Sequence, residues 1–248
     1  MTAKWIAGIQ VLAFLLAAAA AAPALAGEFR ADGGVWIYRV RGFIDNNGQR
    51  LDFNRDLGVG TQRDGFVALE YAHGPSWIPD VTVNYSRLGG SGATTTHPAV
   101  GPVVIPGGSV TNTSSAHFND VDVSARYEIA LGSVGVSPGL TLKALNGDIV
   151  TRDDASGAES RQSYREVFPM LHARVVWAPG RILRFAAQGN WIARGGDQAW
   201  EYAVSAEPRL IGPLGLYAGW QEKRYRVQSS GQLDARLSGM RLGVILSF

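Results

Sequence analysis

The chain has 248 residues, of which 46% are hydrophobic and 18% charged, and it contains no cysteine. A disulfide framework and thiolate metal sites are therefore excluded. The net charge of +2 comes from 23 basic and 21 acidic residues and gives no support for nucleic-acid binding, which normally needs a concentrated basic face. Beyond the N-terminus there is no long apolar run, so the apolar residues are dispersed, as in all-β proteins.

The first segment, residues 1–26, has the pattern of a cleavable signal peptide. Lys4 supplies a basic start, a mainly apolar stretch follows, and Ala24-Leu25-Ala26 forms a small-residue cleavage site. An N-terminal membrane anchor is the alternative, but small alanines dominate the end of the apolar run. We predict cleavage after Ala26, which leaves residues 27–248 as one domain in the cell envelope.

The rest of the chain consists of short segments of alternating polarity separated by turn residues, which is the period-two pattern of strands. It is clearest from Asn119 to Ile129, where apolar odd positions alternate with polar or charged even positions. Each predicted strand has the roughly 9–11 residues that a tilted transmembrane strand needs. The ten predicted strands are residues 34–45, 64–73, 80–88, 117–130, 134–147, 162–177, 181–194, 198–208, 213–227 and 234–248.

The connections between these strands alternate in length. Short turns are predicted at 74–79, 131–133, 178–180 and 209–212; longer loops are predicted at 46–63, 89–116 and 148–161, and shorter ones near 195–197 and 228–233. Short periplasmic turns and longer extracellular loops are typical of outer-membrane barrels, and an even strand number places both termini in the periplasm. We therefore predict an all-β fold, a single-chain antiparallel transmembrane β-barrel of about ten strands in the bacterial outer membrane.

Two irregularities occur inside the predicted strands. Pro138 and Pro169 each remove a backbone donor, and the apolar positions change parity between Trp220 and Tyr225. A β-bulge at each place would accommodate them.

Aromatic residues collect near the two ends of the predicted strands, as expected where a barrel crosses the two membrane interfaces. The predicted aromatic girdle consists of Trp36, Tyr71, Tyr85, Tyr127, Trp177, Trp191, Trp200, Tyr202 and Tyr225.

The last strand has apolar residues at alternate positions and ends in phenylalanine, like the signal that the barrel-assembly machinery reads. These residues are Met240, Leu242, Val244, Leu246 and Phe248. The expected partners are outer-membrane lipid and lipopolysaccharide, and, during biogenesis, the barrel-assembly machinery and periplasmic chaperones. A monomer is expected.

Several segments resemble an uncharacterised family of small, porin-like outer-membrane β-barrel proteins of proteobacteria. The residues that carry the resemblance are Asp56-Leu57-Gly58, Ala68-Leu69-Glu70-Tyr71, the run from Asp120 to Ile129, Pro169-Met170-Leu171-His172-Ala173 and the closing Leu242-Gly243-Val244-Ile245-Leu246-Ser247-Phe248. The resemblance covers most of the chain after residue 26. It implies a barrel fold and an outer-membrane location, and it implies no activity.

The strand positions predicted to face the lumen carry charged residues of both signs, eight basic and seven acidic. The lumen-facing candidates are Arg39, Arg41, Glu70, Asp120, Asp122, Arg126, Glu128, Lys143, Glu166, Arg174, Arg184, Arg194, Glu201, Glu207 and Arg241. One interpretation is a lumen packed with cross-barrel ion pairs, since buried charges need partners. The other is a narrow polar pore for small solutes, although a selective pore more often has a ring of one sign.

Other functions remain as alternatives. An outer-membrane hydrolase at the extracellular rim could use His117 with Asp120 and Asp122, in the manner of the ten-stranded omptin proteases, but His117 has the wrong parity to share a face with Asp120. A loop-based receptor or adhesin could use residues 89–116, which carry no formal charge. We predict no catalytic residue, no metal site and no cofactor, and the favoured function is a structural or narrow-channel barrel.

Overall fold

The computed structural model describes residues 27–46, 49–73, 77–94, 112–153, 157, 159–194, 196–227 and 233–248. The predicted signal peptide lies outside the described residues and stays a prediction. Among the described residues, no helix has the length and apolar character to cross a membrane. The strands, all in one sheet, are β1 (Gly27–Asn46), β2 (Gln49–Asp52), β3 (Thr61–His73), β4 (Asp80–Thr94), β5 (Asn112–Arg126), β6 (Ile129–Leu131), β7 (Val134–Asp153), β8 (Glu159–Trp177), β9 (Leu183–Arg194), β10 (Asp197–Pro208), β11 (Leu214–Val227) and β12 (Leu233–Ser247).

The sheet closes on itself. The first strand, β1, pairs with the last, β12, from Arg30↔Ser247 to Ile44↔Leu233. At the end of the chain, the Phe248 N–H donates to the Phe29 carbonyl at 2.8 Å, and the Phe29 N–H donates back at 3.0 Å. The short β2 pairs only with β1 and the short β6 only with β7, so ten long antiparallel strands form the wall. The predicted fold class is confirmed.

The ten long strands match the ten predicted ones, but several continue farther at the extracellular end. The β4–β5 ladder runs to Thr94↔Asn112, and the β7–β8 ladder runs to Arg152↔Glu159. The predicted loops 89–116 and 148–161 are correspondingly shorter. Residues 95–111 of the first of these loops lie outside the described part of the chain.

The predicted bulges are wrong. The β7–β8 register continues unbroken through Pro138↔Ala173 and Leu142↔Pro169, and the β11–β12 register is unbroken as well. Each proline lies just beyond the end of a neighbouring ladder: the β5–β7 ladder ends at Gly139, and the β8–β9 ladder ends at Leu171. A missing backbone donor is tolerated where a neighbouring strand no longer pairs.

The polarity of the two faces reverses along the strands. On β12, Met240 and Leu242 are exposed on the outer face while Arg241 is buried in the lumen. Nearer the extracellular end of the same strand, Leu237 is buried in the lumen and Arg236 is exposed outside. The lower half is thus polar inside and apolar outside, as lipid requires, whereas the upper half has an apolar core like that of a water-soluble protein.

The connection between β2 and β3, residues 53–60, folds into the mouth of the barrel and is here called the inner loop. Phe53, Leu57 and Val59 are all buried in the apolar core of the upper half. The backbone holds it in place: the Phe53 N–H donates to the Gly42 carbonyl at 3.0 Å, and the Val59 N–H donates to the Phe53 carbonyl at 2.7 Å.

Candidate functional site

Five charged side chains meet in the middle of the lumen and are here called the central ion cluster. They are Asp120 and Asp122 of β5, Lys143 of β7, Glu201 of β10 and Lys223 of β11. The Lys143 ammonium pairs with Asp120, with Asp122 at 2.6 Å and with Glu201 at 2.8 Å. The Lys223 ammonium is 2.6 Å from Asp120 on the far side. All five side chains are 7% exposed or less, so the cluster bridges opposite walls of the barrel away from bulk solvent.

A second set of charges fills the lumen toward the periplasmic end. Glu70 of β3 pairs with Arg126 at 2.5 Å and with Arg174 at 3.0 Å. Arg30 of β1 crosses the lumen to Glu207 of β10 at 2.8 Å. The other members of this periplasmic-side ion cluster are Asp32, which pairs with Arg30, and Arg184, which pairs with Glu207.

The carboxylates of the central ion cluster have the spacing of a metal site, but lysine ammonium groups already occupy the space between them. Ligand oxygens of Asp120, Asp122 and Glu201 lie within 4.8 Å of one another. The two ammonium groups already contact them, and the Tyr225 hydroxyl donates to Glu201 at 2.7 Å. A divalent cation would have to displace both lysines, so the donor set fits an ion-pair network better than a metal centre.

The structure places eleven of the fifteen predicted lumen charges at inward positions. Nine of them, including Arg184 and Glu207, form the ion pairs described above. A tenth, Arg241, lies 3.5 Å from the centre of the Phe66 ring. Glu166 lies at an inward position of β8 between Tyr164 and Phe168 and is half-buried. The side chain of Arg194 lies outside the described part of the structure.

Three of the predicted lumen positions are wrong. Arg39 and Arg41 are exposed on the outer face of β1, because the inward positions of that strand are even-numbered. Glu128 is exposed, because β5 ends at Arg126 and residue 128 lies in the turn that follows.

The aromatic girdle needs two corrections. Trp36 is 1% exposed and Tyr225 2% exposed, both inside the lumen, so neither belongs to the outer belt. Exposed aromatic side chains on the outer face include Tyr85, Tyr127 and Trp177. Three further members of the predicted girdle stay together on the outer face: Trp191, Trp200 and Tyr202, with Trp200 stacked on Tyr202. Tyr71 is half-buried on the outward parity of β3.

The predicted C-terminal signal lies on the outward face of β12. Met240, Leu242, Val244 and Phe248 are exposed, and Leu246 is half-buried. Recognition of this row by the assembly machinery stays a prediction.

Sequence reasoning missed Lys223, Arg30 and Asp32. The apparent parity change on β11 concealed Lys223, and β1 was predicted to begin only after Arg30 and Asp32. The rarity of lysine was a signal in the composition. Only three of the 23 basic residues are lysines, and two of these, Lys143 and Lys223, lie after residue 26. Both lysines lie in the central ion cluster.

The hydrolase candidates do not form a catalytic pair. His117 is exposed on the outer side of β5, whereas Asp120 and Asp122 are buried in the lumen beside the two lysines. A general base must be within hydrogen-bond reach of the group that it activates. These three residues therefore lack the geometry of a His–Asp dyad.

No protein-family model and no curated protein matches the sequence. In structure, the chain is similar to the outer membrane protease OmpT from Escherichia coli, with 7% identity, a TM-score of 0.57, and coverage of 90% of this chain and 99% of that one. It also matches Ail, the attachment invasion locus protein of Yersinia pestis, with 12% identity, a TM-score of 0.41, and coverage of 90% and 100%. The translocator domain of the autotransporter NalP from Neisseria meningitidis matches with 12% identity, a TM-score of 0.48, and coverage of 90% and 88%.

The protein is an outer-membrane β-barrel. The closed ten-strand wall and the likeness to outer-membrane barrels agree on this fold and on a location in the outer membrane of Gram-negative bacteria. At these identities the likeness concerns the fold alone, so the role of this barrel must be argued from its own lumen and surface.

Proposed function

We propose that this protein is a structural outer-membrane barrel whose lumen is closed to solutes. The observation that carries the proposal is the central ion cluster, in which Lys143 and Lys223 join Asp120 on one wall to Glu201 on another. A filled, fully paired charge network leaves no room for an ion to pass without breaking several contacts at once.

The cavities around the cluster are consistent with closure. The periplasmic mouth holds a cavity of about 290 Å³, but two polar cavities lined by described residues deeper in the lumen have only about 40 and 20 Å³. A buried water needs about 10–15 Å³, so these spaces hold a few waters and do not form a column. Above the cluster, the apolar core and the inner loop offer no polar path along the described residues.

Planar-bilayer recording of refolded residues 27–248 tests this proposal. We expect no conductance steps from protein whose folding is verified by heat-modifiable gel mobility. A triple variant with Phe53→Ala, Leu57→Ala and Val59→Ala should also be silent, because the central ion cluster remains. Adding Lys143→Ala and Lys223→Ala to these three changes should give a cation leak, because three unpaired carboxylates draw in water and the apolar block above them is reduced. Reproducible steps from the unaltered protein would refute closure.

A second candidate function, binding of lipid phosphate, is favoured by an arginine-rich region on the outer face. Arg224↔Arg236 and Arg236↔Arg41 are cross-strand neighbours on β11, β12 and β1. Arg39 lies two positions before Arg41 on β1, and Arg63 of β3 lies beside Ile37 of the same strand β1. These five residues are here called the external arginine patch.

The external arginine patch has more positive than negative charge and a position suited to lipid headgroups. Its acidic neighbours are Glu222, paired with Arg236, and Asp234, paired with Arg224. Directly toward the periplasm follow the lipid-facing Trp220 and Met240, which mark the apolar zone. Arginine binds phosphate oxygens in bidentate fashion, so the phosphate groups of outer-leaflet lipopolysaccharide are the proposed ligands.

Thermal unfolding in vesicles with and without lipopolysaccharide tests this candidate. The unaltered barrel should be stabilised by lipopolysaccharide and less so by its dephosphorylated form. The triple variant Arg39→Ser, Arg41→Ser and Arg63→Ser should lose most of this stabilisation. The control variant Arg152→Ser, Arg161→Ser and Arg165→Ser removes the same charge from exposed sites on β7 and β8 and should keep it. An equal loss of stabilisation in both variants would mean that the effect depends on total charge and not on the external arginine patch.

A further inference from the structure

The upper half of the lumen contains an apolar cavity of about 70 Å³. Apolar side chains of six strands surround it, among them Leu145, Ile149 and Leu237, and the inner loop contributes Phe53 and Val59. Protein interiors are packed like crystals and contain few voids larger than a water molecule. An almost wholly apolar lining of this extent favours an apolar ligand over water.

The wall beside this cavity is interrupted. The β3–β4 ladder extends only from Tyr71↔Val81 to Phe66↔Ser86. Beyond that point β3 still pairs with β1 as far as Thr61, and β4 still pairs with β5 as far as Thr94. The facing edges, residues 61–65 of β3 and 87–94 of β4, are not joined by a ladder. This interruption is here called the β3–β4 seam.

Side chains and the inner loop close the seam in place of backbone pairing. The Gly89 N–H donates to the Asp64 carboxylate at 2.7 Å, and the Tyr38 hydroxyl donates to the same carboxylate at 2.5 Å. The inner loop packs tightly on the next residue of β4, Gly90: a Cβ placed on Gly90 would lie 2.8 Å from Cγ1 of Val59. Gly89, Gly90 and Val59 all line the apolar cavity as well, so the seam and the cavity share a wall.

We propose that the upper lumen is a binding site for a small hydrocarbon group, which reaches it sideways through the β3–β4 seam when the inner loop withdraws from β4. The seam begins where the outward Tyr85, 41% exposed, marks the outer membrane interface. The closing contacts are the Asp64 carboxylate bridge, the packing of Val59 on Gly90 and the close backbone approach of Gly58 to Gly92, not a ladder. Displacing the inner loop therefore breaks few hydrogen bonds, and it exposes the cavity just above the outer membrane interface, at the level of the lipid headgroups.

The size of the cavity limits the ligand. An engineered cavity of about 150 Å³ is known to take benzene or xenon, so about half that volume takes xenon or the end of an alkyl chain. A whole aromatic ring would need the inner loop to move. This site is independent of the closed central ion cluster below it, so binding here requires no conduction.

Xenon is a suitable first probe, followed through methyl chemical shifts of the folded barrel in lipid nanodiscs. Saturable xenon-dependent shifts are expected at Ile149 and Leu237, while the outward Leu242 should show only the linear response of lipid-dissolved xenon. Ala116→Leu fills the cavity and should abolish saturation, and Ala125→Leu on the outer face of the same strand should not. Absence of saturation in the unaltered protein, or its survival in Ala116→Leu, overturns the site. Leu237→Ala, which enlarges the cavity, should add benzene binding, and its failure to do so also counts against the site.

The route is tested separately with the double variant Val59→Cys and Gly90→Cys. The chain has no other cysteine, so within one chain oxidation can form only this disulfide, which fastens the inner loop to β4. Xenon exchange should be at least tenfold slower in the oxidised form and return to the native rate on reduction. Equal exchange rates in both forms would overturn lateral access.

Discussion

Removal of the Lys143 ammonium is the most direct perturbation of the closed lumen. In the Lys143→Met variant, Asp120, Asp122 and Glu201 lose their shared partner. Lys223 remains, 2.6 Å from Asp120 but 3.7 Å from Glu201 and 3.9 Å from Asp122. Because two carboxylates keep only long contacts to an ammonium group, the loss should equal that of breaking a buried ion pair, about 3–5 kcal/mol of unfolding free energy.

Urea unfolding in lipid vesicles, followed by heat-modifiable gel mobility, measures this loss. With a slope of about 3 kcal/mol per molar urea, the midpoint should fall by roughly 1–2 M. Arg165→Met is the matched control, because Arg165 is exposed on the outer face of β8 and exposed positions usually change stability by about 0.5 kcal/mol or less.

A double variant separates charge pairing from packing. Asp122→Asn removes one of the carboxylates that Lys143→Met leaves unpaired, so the combined loss should be smaller than the sum of the two single losses. The reasoning is refuted if Lys143→Met lowers the midpoint no more than Arg165→Met, or if the two losses simply add.

Three further predictions concern other parts of the barrel. Gly42 has φ = 116°, so Gly42→Ala should cost about 1–3 kcal/mol in the same urea titration, whereas Gly33→Ala should be nearly neutral; equal midpoints would contradict the strain. Lipids brominated in their acyl chains should quench Trp191 but not the buried Trp36, so Trp191→Phe lowers the quenched fraction and Trp36→Phe does not. Deleting Phe248, which pairs with Phe29, should slow assembly several-fold in a gel-shift time course, while Ser247→Ala folds at the native rate; similar rates would deny the terminal residue a role.

The strand plan of this barrel could be predicted from sequence because alternation and turn residues are local properties. The run from Asn119 to Ile129 has one polar and one apolar face over the segment that the structure places as β5 and β6. The apolar row of β12 was equally clear, since Leu242 and Val244 face lipid along the part of the strand that crosses the membrane.

The positions of Tyr225 and Arg39 could not be predicted by the same rule. The rule assigns apolar side chains to lipid along a whole strand, and this holds only within the membrane. Beyond the outer membrane surface the exterior is aqueous, so apolar side chains turn inward and arginines turn outward. The insertion of the inner loop was also hidden, because the apolar Phe53 and Leu57 lie in a segment that has the turn residues of a loop.

The ion pairs that cross the lumen join residues far apart in the chain: Lys223 and Asp120 are 103 positions apart, and Arg30 and Glu207 are 177 apart. No single hairpin contains both members of such a pair. During assembly these charges therefore stay hydrated until the first and last strands meet, and their attraction is gained in one event at ring closure. An open sheet lacks the attraction of these cross-lumen ion pairs. Opening of this barrel should therefore be cooperative, with the β1–β12 ladder separating only when the interior ion pairs break together.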